Sequence, residues 1–204
     1  MKFILFSDIH CREDRCIPII EKSKRADVAI GAGDFASFRH GLEEIMAVLA
    51  QIAIPTILVP GNHESKAELV AACHGASHFH VLHGNAIRIH GLDFVGLGYG
   101  IPGTPFGSWS VDLSDEEARN QMPHTDGRCV LVTHSPPYGC LDRMPAEGHM
   151  GSKSIRNYIE RYRPHFVVCG HIHENWHQMD RLDDIPVINA GPFGYEFEFQ
   201  LADF

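Results

Sequence analysis

The sequence predicts an α/β protein, on three observations. Short β-branched runs alternate with helical stripes over the first 65 residues, polar clusters follow several of those runs directly, and 44% of the 204 residues are hydrophobic, enough to fill a sizeable core. Lys2 to Ser7 reads as a buried strand, Ile17 and Ile20 mark the apolar face of a helix, and Val28 to Gly31 reads as a second strand. Leu42, Ile45, Met46, Leu49 and Ile52 recur at helical spacing, and Pro55 marks the stop. Thr56 to Val59 reads as a third buried strand, and Lys66 to Ala72 as a short helix. The pattern then changes to a meander, in which Ala86 to His90 and Leu92 to Leu97 pair across a turn at His90-Gly91. Ser114 with Glu117 forms a capping-box signal, and Cys129 to Thr133 is another β-branched run. Ser152 caps a helix whose stripe is Ile155, Tyr158, Ile159 and Tyr162, closed by Pro164. Phe166 to Cys169 and Val187 to Ala190 are further strands. Tyr195, Phe197 and Phe199 alternate with Glu196, Glu198 and Gln200, the pattern of a strand buried on one face. No repeat, linker or low-complexity segment interrupts the chain, so residues 1–204 are expected to form a single domain.

Composition narrows the function classes. Seventeen Lys plus Arg against 26 Asp plus Glu give a formal charge of −9, which disfavours a nucleic-acid polymer as partner unless positive charge is imported. No apolar run approaches the ~20 residues of a membrane span, and Phe3 to Phe6 is too short for a secretory core. The six cysteines, at 11, 16, 73, 129, 140 and 169, make no Cys-x-x-Cys pair, so they are expected to be reduced thiols in a cytoplasmic protein. Fifteen histidines point toward transition metal.

Five clusters stand directly after expected strands: Asp8-Ile9-His10, Gly33-Asp34, Gly61-Asn62-His63-Glu64, Thr133-His134 and Gly170-His171-Ile172-His173. Each alone is compatible with a turn or a helix cap. Together they can converge, because ligands of α/β sheets gather outside the carboxyl ends of the strands. In this order the five resemble the blocks of the calcineurin-like metallophosphoesterases. The resemblance spans residues 8–173 directly and implies a two-sheet β-sandwich flanked by helices, in four layers α/β/β/α. Thr133-His134-Ser135-Pro136-Pro137, with Gly151-Ser152-Lys153 and Gly170 to Glu174, looks most like the short single-domain members that act on phosphodiesters, and 204 residues leave little room for a cap domain. One departure is Ser37, where many members carry Asp, Asn or Arg.

Carried over residue by residue, the resemblance implies that Asp8, His10 and His173 hold one divalent metal, that Asn62, His134 and His171 hold another, and that Asp34 bridges them. The residue types suit such a centre, because a bridging carboxylate places negative charge between two cations, while neutral imidazoles and an amide leave the site net positive toward an anionic phosphate. Mixed nitrogen and oxygen ligands suit Mn as first expectation, with Fe, Zn, Co or Ni as alternatives. The implied function is a binuclear phosphoesterase in which a metal-bridging hydroxide attacks the phosphorus of a small phosphodiester, a cyclic nucleotide or similar compound. The alternatives are a phosphomonoesterase acting on a small phosphorylated metabolite and a non-catalytic protein-interaction scaffold on the same fold. His63 is the candidate catalytic residue, protonating the leaving oxygen or stabilising its charge, or else fixing Asn62 from behind. Glu64 is expected to orient a ligand imidazole or to start the following helix. His149, Ser152 and Lys153 are candidate substrate contacts at a helix N-terminus, or plain capping residues. The histidines at 74, 78, 80 and 83 lack metal-site spacing. Trp109, Tyr99 and the Gly96 to Gly107 stretch either rim the pocket or form a surface loop.

Overall fold

The computed structural model describes residues 1–125 and 128–200. In chain order the elements are β1 (Lys2–Phe6), α1 (Glu13–Ser23), β2 (Val28–Gly31), α2 (Leu42–Leu49), β3 (Thr56–Leu58), α3 (Lys66–Ala72) and β4 (Phe79–Val81). There follow β5 (Asn85–Ile89), β6 (Leu92–Leu97), α4 (Asp115–Gln121), β7 (Val130–Thr133), β8 (Arg143–Met144), β9 (Gly148–His149) and α5 (Lys153–Tyr162). The last are β10 (Phe166–Cys169), β11 (Gln178–Leu182), β12 (Ile185–Asn189) and β13 (Tyr195–Glu198).

One sheet runs β13-β1-β2-β3-β4, parallel except for the edge strand β13. The other runs β11-β12-β10-β7-β6-β5, parallel at its centre and antiparallel at both edges. Alternation along the strands decides the layers. Phe3, Leu5, Val28, Ile30 and Ile57 point inward against Phe94, Val130, Val132, Phe166 and Ile188 of the second sheet. Their neighbours Ile4, Phe6, Ala29 and Leu58 point outward onto Ile19, Ile45, Met46 and Leu49 of α1 and α2. On the far side, Val95, Leu131, Val167 and Val187 meet Ala118, Ile155, Tyr158 and Ile159 of α4 and α5. The result is the four-layer α/β/β/α sandwich.

Several elements differ in detail from the sequence expectation. The buried residues of α1 are Cys16, Ile19 and Ser23, whereas Ile17 is 62% exposed. Ile52 is buried but lies beyond α2, which ends at Leu49. Strands β4, β8, β9 and β11 carry no clear pattern: β11 is exposed at four of its five positions, so neither face shows apolar alternation. All six cysteines are unpaired. Among the described residues no helix is long and apolar enough to cross a membrane.

Candidate metal centre

The carboxyl ends of β1, β2, β3, β7 and β10 come together where the two sheets meet, and each delivers one of the five polar clusters. The backbone there is laced across strands. Asp8 N–H donates to Gly33 O at 2.9 Å, His10 N–H to Asp34 O at 3.0 Å, and Gly170 N–H to His134 O at 2.9 Å. Asp8, His10, Asp34 and His171 all adopt left-handed backbone, with φ of 55°, 50°, 57° and 68°. Such φ values are uncommon outside glycine, and clustered strain of this kind marks functional sites. Gly61 and Gly170 are glycines because of close approach: a Cβ on Gly61 would overlap Asp34 Oδ1, and one on Gly170 would lie 2.7 Å from Asp8 Oδ2.

The side chains form two groups. Asp8, His10 and His173 present ligand atoms within 4.8 Å of one another, as do Asp34, His134 and His171. Asn62 joins the second group, with Oδ1 3.1 Å from His134 Nε2. Asp34 stands between the groups, its Oδ2 3.8 Å from His10 Nε2 and 3.4 Å from His134 Nε2. His10 Nε2 faces His173 Nε2 at 3.3 Å, and His171 Nδ1 faces His134 Nε2 at 3.1 Å. Ring nitrogens and carboxylate oxygens turned to common points at these separations fit donors sharing an ion, since two ligands about 2.0–2.1 Å from one metal lie roughly 3–3.5 Å apart. The donor set therefore fits two metal ions.

Supporting contacts fix the direction of each donor. Ser7 Oγ and Trp176 Nε1 donate to Asp8 Oδ2 at 2.5 and 3.1 Å, while Asp8 Oδ1 lies 3.6 Å from His173 Nε2. His134 Nδ1 donates to Ala32 O at 2.7 Å, which turns Nε2 toward the site. Asn62 Nδ2 donates to Ser110 Oγ at 3.1 Å, which orients its oxygen inward. Burial disfavours a charge on Asp34, yet His134, His63 and His10 hold its carboxyl well below the usual range. Burial also opposes protonation of His134, but Asp34 outweighs it and lifts the imidazole to about 9. His171 falls to about 4 because it is buried and stands beside His134.

Glu64 does neither of the things expected of it. Its fully buried carboxylate accepts backbone N–H bonds from Gly61, Asp34 and Ala36 at 2.7, 2.8 and 3.0 Å, tying the loops after β2 and β3 together. Burial, reinforced by Asp34, raises its pKa to about 7. The helix after it starts instead with a capping box between Ser65 and Glu68.

Residues 1–175 match the sequence model of the calcineurin-like phosphoesterases. The chain belongs to that family. This calcineurin-like phosphoesterase is 30% identical over 207 residues to an uncharacterized protein of Methanocaldococcus jannaschii, with 96% of this chain and 90% of that one covered. It is 28% identical over 216 residues to metallophosphoesterase domain-containing protein 1 of Homo sapiens, covering 86% of this chain and 61% of the human protein. Among solved structures, TT1561 of Thermus thermophilus has the same fold, with a TM-score of 0.77 at 15% identity over 94% of this chain and 89% of that one. Membership points to metal-dependent hydrolysis of phosphoesters.

Above the ligand groups of this phosphoesterase opens a cavity of about 560 Å³, lined by His10, Asp34, Asn62, His63, His171 and His173 on its floor. Phe38, Phe106, Trp109, Met144 and Ile172 form its walls, with Ser37 and Glu174. The stretch from Gly96 to Gly107 therefore reaches the rim through Phe106. Tyr99 does not line the cavity; its hydroxyl accepts from Lys66 N–H at 3.0 Å. His149, Ser152 and Lys153 are not brought to the site. His149 pairs with Asp142 at 2.7 Å, Ser152 is buried as the cap of α5 and donates to Asp115 at 2.6 Å, and Lys153 lies over the Tyr138 ring. His149 and Lys153 line a separate depression. Sequence reasoning missed Trp176, Ser7, Ser110 and Phe38, which act through geometry; only the Trp three residues beyond His173 offered a signal.

Proposed function

We propose that this chain is a binuclear phosphodiesterase of small substrates, with Asp8, His10 and His173 holding one ion, Asn62, His134 and His171 the other, and Asp34 bridging them. Two divalent ions bound there would supply Lewis-acid charge for the phosphate and lower the pKa of water, with Mn the first candidate. The observation that carries the diester reading is the cavity lining: none of the described residues lining it is Lys or Arg, and Glu174 adds a negative charge. The two negative charges of a monoester would find no side-chain cation there, whereas a diester has one charge and a second organic arm to face the apolar walls. The −9 charge of the chain favours a small phosphoester over a nucleic-acid polymer. We also read residues 1–204 as one domain with no cap, supported by the core the two sheets share, and place it in the cytoplasm, where six free thiols persist.

His63 serves this reading as a hydrogen-bond donor to the departing oxygen. Phe38 N–H donates to His63 Nδ1 at 2.8 Å, so the neutral ring carries its proton on Nε2. That atom points into the cavity, 3.8 Å from Asp34 Oδ2. By distance alone His63 could join His10 and Asp34 around an ion. The Phe38 contact argues otherwise, because an Nε2 bearing the proton has no lone pair to give. Burial lowers the His63 pKa and favours this neutral form. His63→Ala is expected to slow alkyl diesters roughly 10²–10³-fold and a nitrophenyl diester much less, with metal content unchanged. Equal loss on both esters would remove His63 from the leaving-group side.

The test of the whole reading is a panel of mono-, di- and cyclic phosphoesters assayed with Mn, Fe, Zn, Ni and Mg after metal stripping. Diesters should be turned over fastest, with about two ions bound per chain. Faster monoester hydrolysis would overturn the diester reading, and no turnover of any ester would leave a scaffold.

A further inference from the structure

Beside the ligand floor, three aromatic side chains form a continuous wall. The Phe106 and Trp109 rings lie nearly parallel, 11° apart with centroids at 5.5 Å, and Phe38 meets Trp109 edge-on at 4.7 Å. Trp109 also packs against His63 at 4.6 Å, so the wall continues directly into the reaction cavity. Phe38 is 58% exposed and Phe106 50%, and both line the cavity. Large apolar side chains held open beside a polar centre mark a ligand surface.

The wall is held in place before any ligand arrives. Thr104 Oγ1 and Ser110 Oγ donate to Asp112 at 2.9 and 3.1 Å, bracing the segment that carries Phe106 and Trp109. Val111 N–H donates to Asn62 O at 2.9 Å, and Asn62 Nδ2 to Ser110 Oγ, so the segment is bonded to a candidate ligand residue. Phe38 is placed by its own N–H bond to His63. A rigid face built of rings favours a flat, polarisable partner, because offset and edge-on ring pairs gain beyond the area they bury.

We propose that one organic arm of the phosphodiester is a flat aromatic group, an aryl ring or a nucleobase, seated against Phe106 and Trp109 with Phe38 at its edge. This rests on the phosphodiesterase reading. The absence of Lys and Arg from the described lining, which favours a diester, also disfavours an arm bearing further phosphates or carboxylates.

The test uses the metal-loaded chain and four methyl phosphodiesters whose second arm is benzyl, cyclohexylmethyl, 5′-thymidyl or methyl, followed by product analysis. Benzyl and cyclohexylmethyl match in size and in leaving-group chemistry but differ in flatness. The benzyl ester should exceed the cyclohexylmethyl ester about tenfold in kcat/KM, mostly through KM, and Phe106→Ala should bring that ratio close to one. The thymidyl ester tells an aryl arm from a nucleobase: a value above benzyl assigns the base, and one below it assigns the aryl ring. A second readout needs no turnover. Titration with benzyl methylphosphonate should change the tryptophan emission of the wild-type protein more than cyclohexylmethyl methylphosphonate does, and that excess should vanish in Trp109→Phe, where the remaining Trp176 packs on His173 of the floor and reports the phosphonate alone. Equal kcat/KM for benzyl and cyclohexylmethyl esters, or a preference that survives Phe106→Ala, overturns the aromatic assignment. Failure to hydrolyse any diester overturns the phosphodiesterase reading instead, and the emission titration then still decides whether the wall takes an aromatic ligand.

Discussion

The floor and the wall of the cavity are built on different principles. Beneath the floor, Asp8 and His134 are completely buried, and on it Asp34 and Asn62 are nearly so, each held by main-chain or side-chain hydrogen bonds, while His173 is the one exposed floor residue. The wall exposes half of Phe38 and of Phe106, and its rings pack on one another and on His63. This contrast amounts to a division of labour. On the proposed reading, chemistry is set by residues whose direction the backbone dictates, and choice of substrate by half-exposed rings that lie outside the buried cores.

The most severe loss that would test this division belongs to the centre of the floor. On the proposed reading, Asp34→Asn removes the charge that stands between the two ligand groups and weakens both, so turnover should fall by more than roughly 10²-fold, with metal content down in elemental analysis. The relative preference among esters should survive in whatever activity remains, because no wall residue has moved. A variant with full metal and wild-type rates would remove Asp34 from the centre.

Next in size is Trp176→Phe, which deletes the indole N–H donated to Asp8 Oδ2 while keeping the ring's bulk. Metal affinity should drop about 10–100-fold, as for other contacts that orient a ligand from behind. A chelator competition titration measures it. Unchanged affinity would mean that Ser7 and the His171 N–H suffice to hold Asp8.

The mildest change is reserved for the root of the wall. Gly98 N–H donates to His83 Nδ1 at 3.1 Å, and the His83 ring packs on Tyr99 at 4.2 Å, where the segment leading to Phe106 begins. Burial, helped by the charge of Lys66, lowers the His83 pKa to about 4. The folded pKa lies below the ordinary 6.5, so on acidification the unfolded chain takes the proton first. This contribution to stability is whole above about pH 6.5 and is lost as the pH falls toward about 4. The melting temperature of wild type should therefore fall more than that of His83→Gln between pH 7.5 and 4.5, by roughly 2–4 °C. Parallel melting curves for the two proteins would show that His83 does not carry the difference.

The same division governs how much could be read from the sequence. The floor was legible because strand-end chemistry is local: Asp8 and His10, or His171 and His173, need only a strand followed by a turn, and their neighbours announce both. The central strands were legible for the same reason, since residues such as Val130 to Thr133 are buried on both faces. Trp176, Ser110 and Glu64 were missed or misassigned because they act on partners far along the chain: Trp176 meets Asp8 across 168 positions, and Ser110 meets Asn62 across 48. His149, Ser152 and Lys153 read as an anion site because a helix start looks alike whether it faces a cavity or caps itself. Phe38 followed the strand-end pair Gly33-Asp34 with no pattern to distinguish a wall residue from a loop residue.

The segment from Tyr99 to Val111 is bonded at both ends to one short stretch of chain, through Tyr99 N–H to Pro60 O and Val111 N–H to Asn62 O, both at 2.9 Å. In engineering terms it is a cassette with its two sockets side by side. A loop of different length or composition inserted between those anchor points would present a new wall to the same floor, and the strands that deliver the seven ligand candidates would need no alteration. Diversification of substrate in this chain has an address of its own, about a dozen residues long, joined to the floor through Ser110, whose bond to Asn62 any replacement would have to keep.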